Sequence, residues 1–373
     1  MQAVAKNIKV IISGGGTGGH IFPAIAIADA IRAKLPQADI LFVGAKGKME
    51  MERVPKAGYP IKGLWISGFQ RSLDARNLLF PLKLLSSLIA AFGILRSFRP
   101  DVVIGVGGYA SGPLLEMAVR LKIPALIQEQ NSCAGATNRI LARKVQKICV
   151  AYPDMDRYFP AGKLRVTGNP VRKAVYAHPV PREEARAFFG LDPQKPTLLV
   201  FGGSLGALSL NEAMAESPEV LSPRPDIQVI WQCGQSYHAR FRESPGALLP
   251  QVRLLPFLER MDMAYAAADV VACRAGALTI SELCMLGKAA ILVPSPFVAE
   301  DHQTKNAEAL VVRGAAKMVK NESTGKTLLP VAIELLTDTE LRHSLERNIR
   351  ALAKPDAAEA IADEAIALCN VGK

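Results

Sequence analysis

No two of the six cysteines in this 373-residue chain (Cys133, Cys149, Cys233, Cys273, Cys284 and Cys369) stand at C-x-x-C spacing. Single thiols scattered through apolar, strand-like surroundings exclude a zinc ribbon or a disulfide framework and read as small buried hydrophobes of a reducing compartment. An uninterrupted apolar run of membrane-spanning length is also missing. The nearest stretch, 78–98, is broken by Lys83, Ser86, Ser87 and Arg96, which leaves Leu88–Leu95 as its longest clean run. Residues 1–9 lack the charged n-region and apolar h-region of a signal peptide, so a cytoplasmic location is expected. Acidic residues are scarce: 34 Asp and Glu stand against 45 Lys and Arg, for a net charge of +11. That balance points to an anionic partner. Nucleic acid is disfavoured, because no dense Lys/Arg run with interleaved aromatics occurs. Nucleotide phosphates and an acidic membrane surface remain.

What the chain does contain is a globular composition, 50% hydrophobic and 21% charged, at a length that suits two α/β domains. Strand-like runs alternate with helical patterns throughout, which predicts parallel, doubly wound sheets. In the first half strands are expected near 8–13, 40–43, 102–106, 125–128, 147–151 and 164–167. In the second they are expected near 197–201, 228–232, 252–255, 270–273, 290–293 and 316–319. The stretch Gly168-Asn169-Pro170-Val171 is the expected crossing, giving domains of 1–168 and 169–354. The last helical segment, about 355–373, either ends the second domain or returns to cover the first.

The most informative segment is Gly14-Gly15-Gly16-Thr17-Gly18-Gly19-His20, directly after the run Ile8–Ile12. Glycines let backbone approach a ligand closely, and the helix start beyond them offers unpaired N–H groups and a positive dipole end. Gly14-x-Gly16-x-x-Gly19 satisfies the dinucleotide fingerprint, which also requires an acid at the end of the second strand. Here that strand runs into Gly44-Ala45-Lys46-Gly47-Lys48, with no acid before Glu50. An NADP-dependent oxidoreductase is thereby weakened. His20, at the junction of loop and helix, is a candidate base, against the commoner structural role of a lone histidine.

Four further segments follow strand ends, where open α/β sheets bind ligands. Val106–Pro113 is glycine-rich and serves either a ligand or a tight turn. Glu129-Gln130-Asn131 places a carboxylate and an amide, unless Asn131 merely caps a helix starting near Ala134. Gly202-Gly203-Ser204-Leu205-Gly206-Ala207 repeats the glycine turn in the second half. The strongest is Cys273–Glu282, whose small residues open a helix suited to a diphosphate, with Glu282 placed to accept from vicinal ribose hydroxyls. Beyond it, Glu300–Ala307 offers amide and imidazole groups at a helix start.

Together with Phe22-Pro23 and Thr167–Arg172, these segments closely resemble, in order and over nearly the whole chain, the bacterial MurG family. Its members are UDP-N-acetylglucosamine:undecaprenyl-pyrophosphoryl-muramyl-pentapeptide N-acetylglucosaminyltransferases. The resemblance implies an α/β GT-B glycosyltransferase: two Rossmann-like, doubly wound parallel-sheet domains flanking a cleft. It implies inverting transfer of N-acetylglucosamine from UDP-GlcNAc to the C4 hydroxyl of MurNAc in lipid I, on the cytoplasmic face of the bacterial inner membrane, giving lipid II. Carried over by position, Phe257 and Leu258 would border the uracil and Glu282 would hold the ribose. Ser204, Ala277, Leu278 and Thr279 would hold the diphosphate, Gln303 and Asn306 would read the sugar, and Arg172 would complete the donor set. Thr17, Gly18, Gly19 and Asn131 would line the sugar toward the acceptor, with Gly107, Gly108, Tyr109 and Ser111 binding the acceptor itself. Leu205 and Ala275 depart from residues common in the family, Gln and Ser.

Either His20 or Glu129 would be the base; His20 is favoured because its ordinary pKa lies near working pH. Helix N-termini and Arg172 would stabilise departing UDP without a metal or cofactor, and no D-x-D pair sits directly at a strand end. The 78–98 segment carries two apolar stripes, Leu78/Leu82/Leu85/Ile89/Phe92 and Leu84/Leu88/Ala91/Leu95, with Arg76, Lys83, Arg96 and Arg99 beside them. One stripe suits the sheet and the other anionic lipid, the alternative being a fully buried helix. Proteins of cell-wall synthesis are implied as further partners. The competing assignments are another GT-B nucleotide-sugar enzyme, a diacylglycerol glycosyltransferase or UDP-sugar epimerase, and a scaffold that binds nucleotide sugars without turnover.

Overall fold

The computed structural model of the chain describes residues 7–67 and 79–371, so Arg76 and Leu78 lie outside the described residues. The chain divides into two compact units, one of residues 1–172 together with 355–373 and one of residues 173–354. The division falls after Arg172, one residue beyond the expected crossing at 168–171.

In the first unit the elements alternate as β1 (Lys9–Ser13), α1 (Gly18–Lys34), β2 (Asp39–Ala45), α2 (Glu50–Lys56), β3 (Ile61–Leu64) and α3 (Phe80–Phe98). They continue as β4 (Val102–Gly105), α4 (Ser111–Arg120), β5 (Ala125–Glu129), α5 (Ala136–Leu141), β6 (Lys147–Val150) and β7 (Leu164–Val166). All seven strands are parallel, in the order β3-β2-β1-β4-β5-β6-β7. The central strands are continuous β-branched runs, such as Val10-Ile11-Ile12, because helices cover both faces of the sheet. Strand β3 was not foreseen. It carries exposed Lys62 and half-buried Gly63, and an edge strand needs backbone pairing with one neighbour rather than an apolar run.

The second unit begins with α6 (Lys173–Tyr176), α7 (Arg182–Phe188), β8 (Thr197–Phe201), α8 (Leu208–Glu216), α9 (Pro218–Leu221) and β9 (Gln228–Gln232). Next come α10 (His238–Phe241), β10 (Val252–Leu255), α11 (Met261–Ala267), β11 (Val270–Cys273), α12 (Ala277–Leu286) and β12 (Ala289–Leu292). It closes with α13 (His302–Val311), β13 (Lys317–Met318), α14 (Thr324–Thr337) and α15 (Thr339–Arg350). Its six parallel strands run in the order β10-β9-β8-β11-β12-β13.

The last helix, α16 (Ala357–Val371), packs on α1 of the first unit. This explains the unusual composition of α1, in which Ile21, Ala24, Ile25, Ala26, Ile27, Ala28 and Ile31 are all buried. A helix covered by a sheet on one side and a second helix on the other has no wide polar face. Ala358, Ala362 and Ala365 of α16 are small enough to let the two axes approach.

Candidate active site

Each sheet reverses its strand order at one place, between β1 and β4 in the first unit and between β8 and β11 in the second. Loops leaving neighbouring strands diverge there to opposite faces and open a crevice at the carboxyl ends. Every glycine-rich segment of the sequence leaves one of these four strands.

At the first switch point the loops after β1 and β4 interlock. Gly107 and Gly108 have φ of +98° and +86°, a region that favours glycine. A Cβ on Gly108 would collide with the Gly15 carbonyl, and one on Gly107 would lie 2.5 Å from Cδ2 of His20. The imidazole therefore rests where a side chain would otherwise stand. Thr17, in extended conformation, caps α1 through its carbonyl, which accepts from the amides of His20 and Ile21 at 3.1 and 3.2 Å. Its Oγ1 lies 3.2 Å from His20 Nδ1. Thr17 and Gly19 are exposed, while Gly18 and His20 are half-buried. Tyr109 stands 52% exposed beside Gly16. Ser111 is buried instead, and its hydroxyl donates to the Gly108 carbonyl at 2.8 Å, so it shapes the loop.

Glu129 ends β5 only 2% exposed, with both carboxylate oxygens occupied. Oε1 accepts from the backbone and side-chain amides of Asn131 at 3.1 and 3.2 Å. Oε2 accepts from Gly135 N and Asn138 Nδ2, both at 2.9 Å. Asn131 thus pairs with Glu129 and does not cap α5, which starts two residues later than expected behind Gly135. Next to it Gln130 Nε2 donates to the Val106 carbonyl and to Gln128 Oε1. Asn169 Nδ2 donates to the Gln130 carbonyl at 3.0 Å. These amides tie the loops after β4, β5 and β7 together. Arg172, at the end of the first unit, places its guanidinium 4.1 Å from the Phe22 ring centroid.

At the second switch point the turn after β8 is equally tight. Gly206 has φ of +78°, and a Cβ there would strike the Cys233 carbonyl. Ser204 and Leu205 are exposed at its tip. After β11, Arg274 turns inward: its guanidinium donates to the carbonyls of Val293 and Pro294, to Asn321 Oδ1 and to Ser209 Oγ. Burial lowers its pKa, and its donors are engaged in joining four segments. Behind it, Gly276 caps α12, whose first turn carries no acidic residue, so the N–H groups around Ala277, Leu278 and Thr279 present an undiluted positive end. Glu282, one turn further, is half-buried, and the Tyr265 hydroxyl donates to its Oε2 at 2.8 Å. Tyr265 itself is 1% exposed and packs edge-on against Phe201.

Gln303 Oε1 accepts from Ser295 N at 2.9 Å, and buried Asn306 donates to the Ala275 carbonyl at 3.4 Å. These amides thereby brace the loops after β12 and β11, respectively. Phe257 is partly exposed and Leu258 buried at one wall of a cavity of about 640 Å³, shared with Phe188, Phe189, Leu254 and Arg260. Tyr265 and Glu50 were not singled out as functional from sequence. Tyr265 gave no signal, being one aromatic in a buried helix, whereas Glu50 was visible as the first acid after β2.

Residues 10–150 match the glycosyltransferase family 28 N-terminal domain, and residues 197–363 match the glycosyltransferase family 28 C-terminal domain. A Bacteroides fragilis protein named UDP-N-acetylglucosamine–N-acetylmuramyl-(pentapeptide) pyrophosphoryl-undecaprenol N-acetylglucosamine transferase is 52% identical over 97% of this chain and 96% of its own. A Cytophaga hutchinsonii protein of the same name is 50% identical over 99% of each. Among solved structures, Acinetobacter baumannii MurG matches with a TM-score of 0.75 at 31% identity, covering 96% of this chain and 99% of that one. A UDP-GlcNAc 2-epimerase from Neisseria meningitidis matches at 0.69 with 15% identity, over 96% of this chain and all of that one, a likeness of fold alone.

Proposed function

We propose, from the premise that this chain belongs to glycosyltransferase family 28 and within it to the MurG family, that it transfers N-acetylglucosamine from UDP-GlcNAc to the C4 hydroxyl of MurNAc in lipid I. The observation that carries this reading is the second switch point, where a helix N-terminus free of acidic residues stands one turn from a carboxylate fixed by a buried tyrosine. A nucleoside diphosphate needs those two features: N–H donors for phosphate oxygens and an acceptor for ribose hydroxyls. Ser204 and the glycine turn after β8 add donors for the diphosphate, Phe257 and Leu258 border the base, and Arg172, Gln303 and Asn306 complete the donor set.

The acceptor C4 oxygen attacks the anomeric carbon, the bond from that carbon to the diphosphate oxygen breaks, and the configuration inverts. The hydroxyl proton passes to His20. Between the two candidate bases the geometry favours His20, because the Glu129 carboxylate is engaged by four hydrogen bonds from the loop after β5 and from Asn138 of α5. Glu129 then holds Asn131 in place beside the acceptor loop of Gly107, Gly108 and Tyr109. Charge developing on UDP is met by the N-terminus of α12, preorganised before reaction.

The lipid-linked acceptor gives α3 a role. Ser87, Ala91 and Leu95 of this helix are buried, while Leu82, Leu85, Ile89 and Phe92 are exposed. Lys83, Arg96 and Arg99 flank that exposed stripe. This pattern supports peripheral docking on the anionic cytoplasmic face of the membrane. The test is incubation with UDP-GlcNAc and a short-chain lipid I analogue, following UDP release and the disaccharide product together. Equal yields of both support the assignment. Binding of UDP-GlcNAc without transfer contradicts it.

A further inference from the structure

The carboxylate of Glu50 is wholly buried, yet it forms no ion pair among the described residues. Its Oε2 accepts from Gly16 N at 2.9 Å and its Oε1 from Ala45 N at 2.9 Å. It therefore bridges the loop after β1 and the last residue of β2 through backbone amides alone. The space it fills is made by glycine: a Cβ on Gly15 would overlap the carboxylate, and one on Gly44 would lie 2.5 Å from its Cγ. An acid in this region of a dinucleotide-binding unit would face a ribose. Here the acid folds back into the glycine turn and occupies an amide that an incoming phosphate would otherwise use.

We propose that Glu50 is a positioning residue, an internal anion that fixes the Gly14–His20 turn and through it the imidazole of His20. The route is short. Gly16 N is held by Glu50, the next residue is Thr17, and Thr17 caps α1 and touches His20 Nδ1. Gly16 has φ of +86°, so its peptide is free to turn once that grip is lost. A buried carboxylate accepting two N–H groups has no equal among the neutral side chains. Glutamine at this position keeps one acceptor oxygen but aims an NH2 donor at the other amide, leaving a donor facing a donor. Aspartate is one methylene too short to reach both. The inference rests on the transferase reading for its kinetic consequence, but the loop it describes exists without substrate.

The experiment compares wild type, Glu50→Gln and Gly15→Ala as full chains. Gly15→Ala crowds Glu50 out of its seat without removing its charge. In both variants amide hydrogen exchange across residues 14–20 should speed up without substrate. Displacement of the base by about 1 Å should lower kcat about 10²-fold. The affinity for UDP-GlcNAc and the donor KM should stay at wild-type values, a split that general destabilisation would not give. Combining the two changes should cost little more than either alone, since both disrupt one contact. Unimpaired kcat in folded Glu50→Gln overturns the proposal. So does a parallel loss of donor affinity and kcat, which marks Glu50 as merely structural. Wild type that transfers no sugar contradicts instead the transferase reading. In that case unchanged exchange at residues 14–20 overturns the loop-holding role as well.

Discussion

The hydroxyl of Tyr265 donates to Glu282 Oε2 at 2.8 Å from a position that is 1% exposed, so a side chain of the buried α11 fixes the rotamer of a half-exposed carboxylate on α12. Replacing Tyr265 by Phe keeps the packing against Phe201 and removes only the hydrogen bond. With water able to reach Glu282, the loss should be about 1 kcal/mol, roughly a fivefold rise in the dissociation constant for UDP-GlcNAc. Titration calorimetry of folded Tyr265→Phe measures it, with kcat expected to change little.

Gly107 and His20 share one space. A Gly107→Ala variant places a Cβ 2.5 Å from His20 Cδ2 and forces a side chain into φ of +98°. The backbone strain should cost about 1–3 kcal/mol of stability. Displacement of the imidazole should lower kcat about 10²-fold. Thermal unfolding and steady-state kinetics separate the two effects, and donor affinity should be retained.

Stability should respond to pH through Lys288, whose amine donates to the Ala268 carbonyl at 2.7 Å. Burial first, and then Arg182, lowers its pKa from 10.5 to about 8. Unfolded, the lysine keeps its proton up to about 10.5; folded, it releases it near 8. Unfolding thus takes up a proton between these values, and this group makes stability rise with pH across that window. The unfolding free energy of wild type relative to Lys288→Met should therefore increase between pH 8 and pH 10.5. Urea titrations of both proteins read the difference, and a flat difference would contradict it.

The exposed stripe of α3 should govern lipid binding without touching chemistry. Exposed Leu85 and Ile89 each contribute about 1.5–3 kcal/mol when fully buried. The double variant Leu85→Glu/Ile89→Glu should lose co-sedimentation with vesicles containing anionic lipid. Its turnover of a water-soluble acceptor analogue should match wild type.

Most of the fold was legible because parallel strands buried on both faces are written as short apolar runs, and the glycine turns mark their ends. Strand β3 was illegible because its side chains are not what hold it. The choice between membrane contact and burial for α3 could not be made from its two stripes, since nothing local says which stripe meets the sheet. The side chains Ser87, Ala91 and Leu95 do, and small residues at helical spacing are a weak signal. At the site, position in a motif does not by itself assign a side chain its task. Gln303 and Asn306 carry the polar groups expected of sugar readers, yet each makes a hydrogen bond that braces a neighbouring loop. Such bonds join residues far apart in the chain, and no local pattern encodes them. Glu50 and Tyr265 were obscure for the same reason.

On the proposed assignment Glu282 holds the donor ribose and His20 takes the acceptor proton. Its most direct test is donor affinity and transfer rate measured side by side in folded His20→Ala and Glu282→Ala. His20→Ala should bind UDP-GlcNAc as wild type does but transfer almost nothing to the lipid I analogue, whereas Glu282→Ala should lose donor affinity. Substantial transfer by His20→Ala, or undiminished donor affinity in Glu282→Ala, would contradict it.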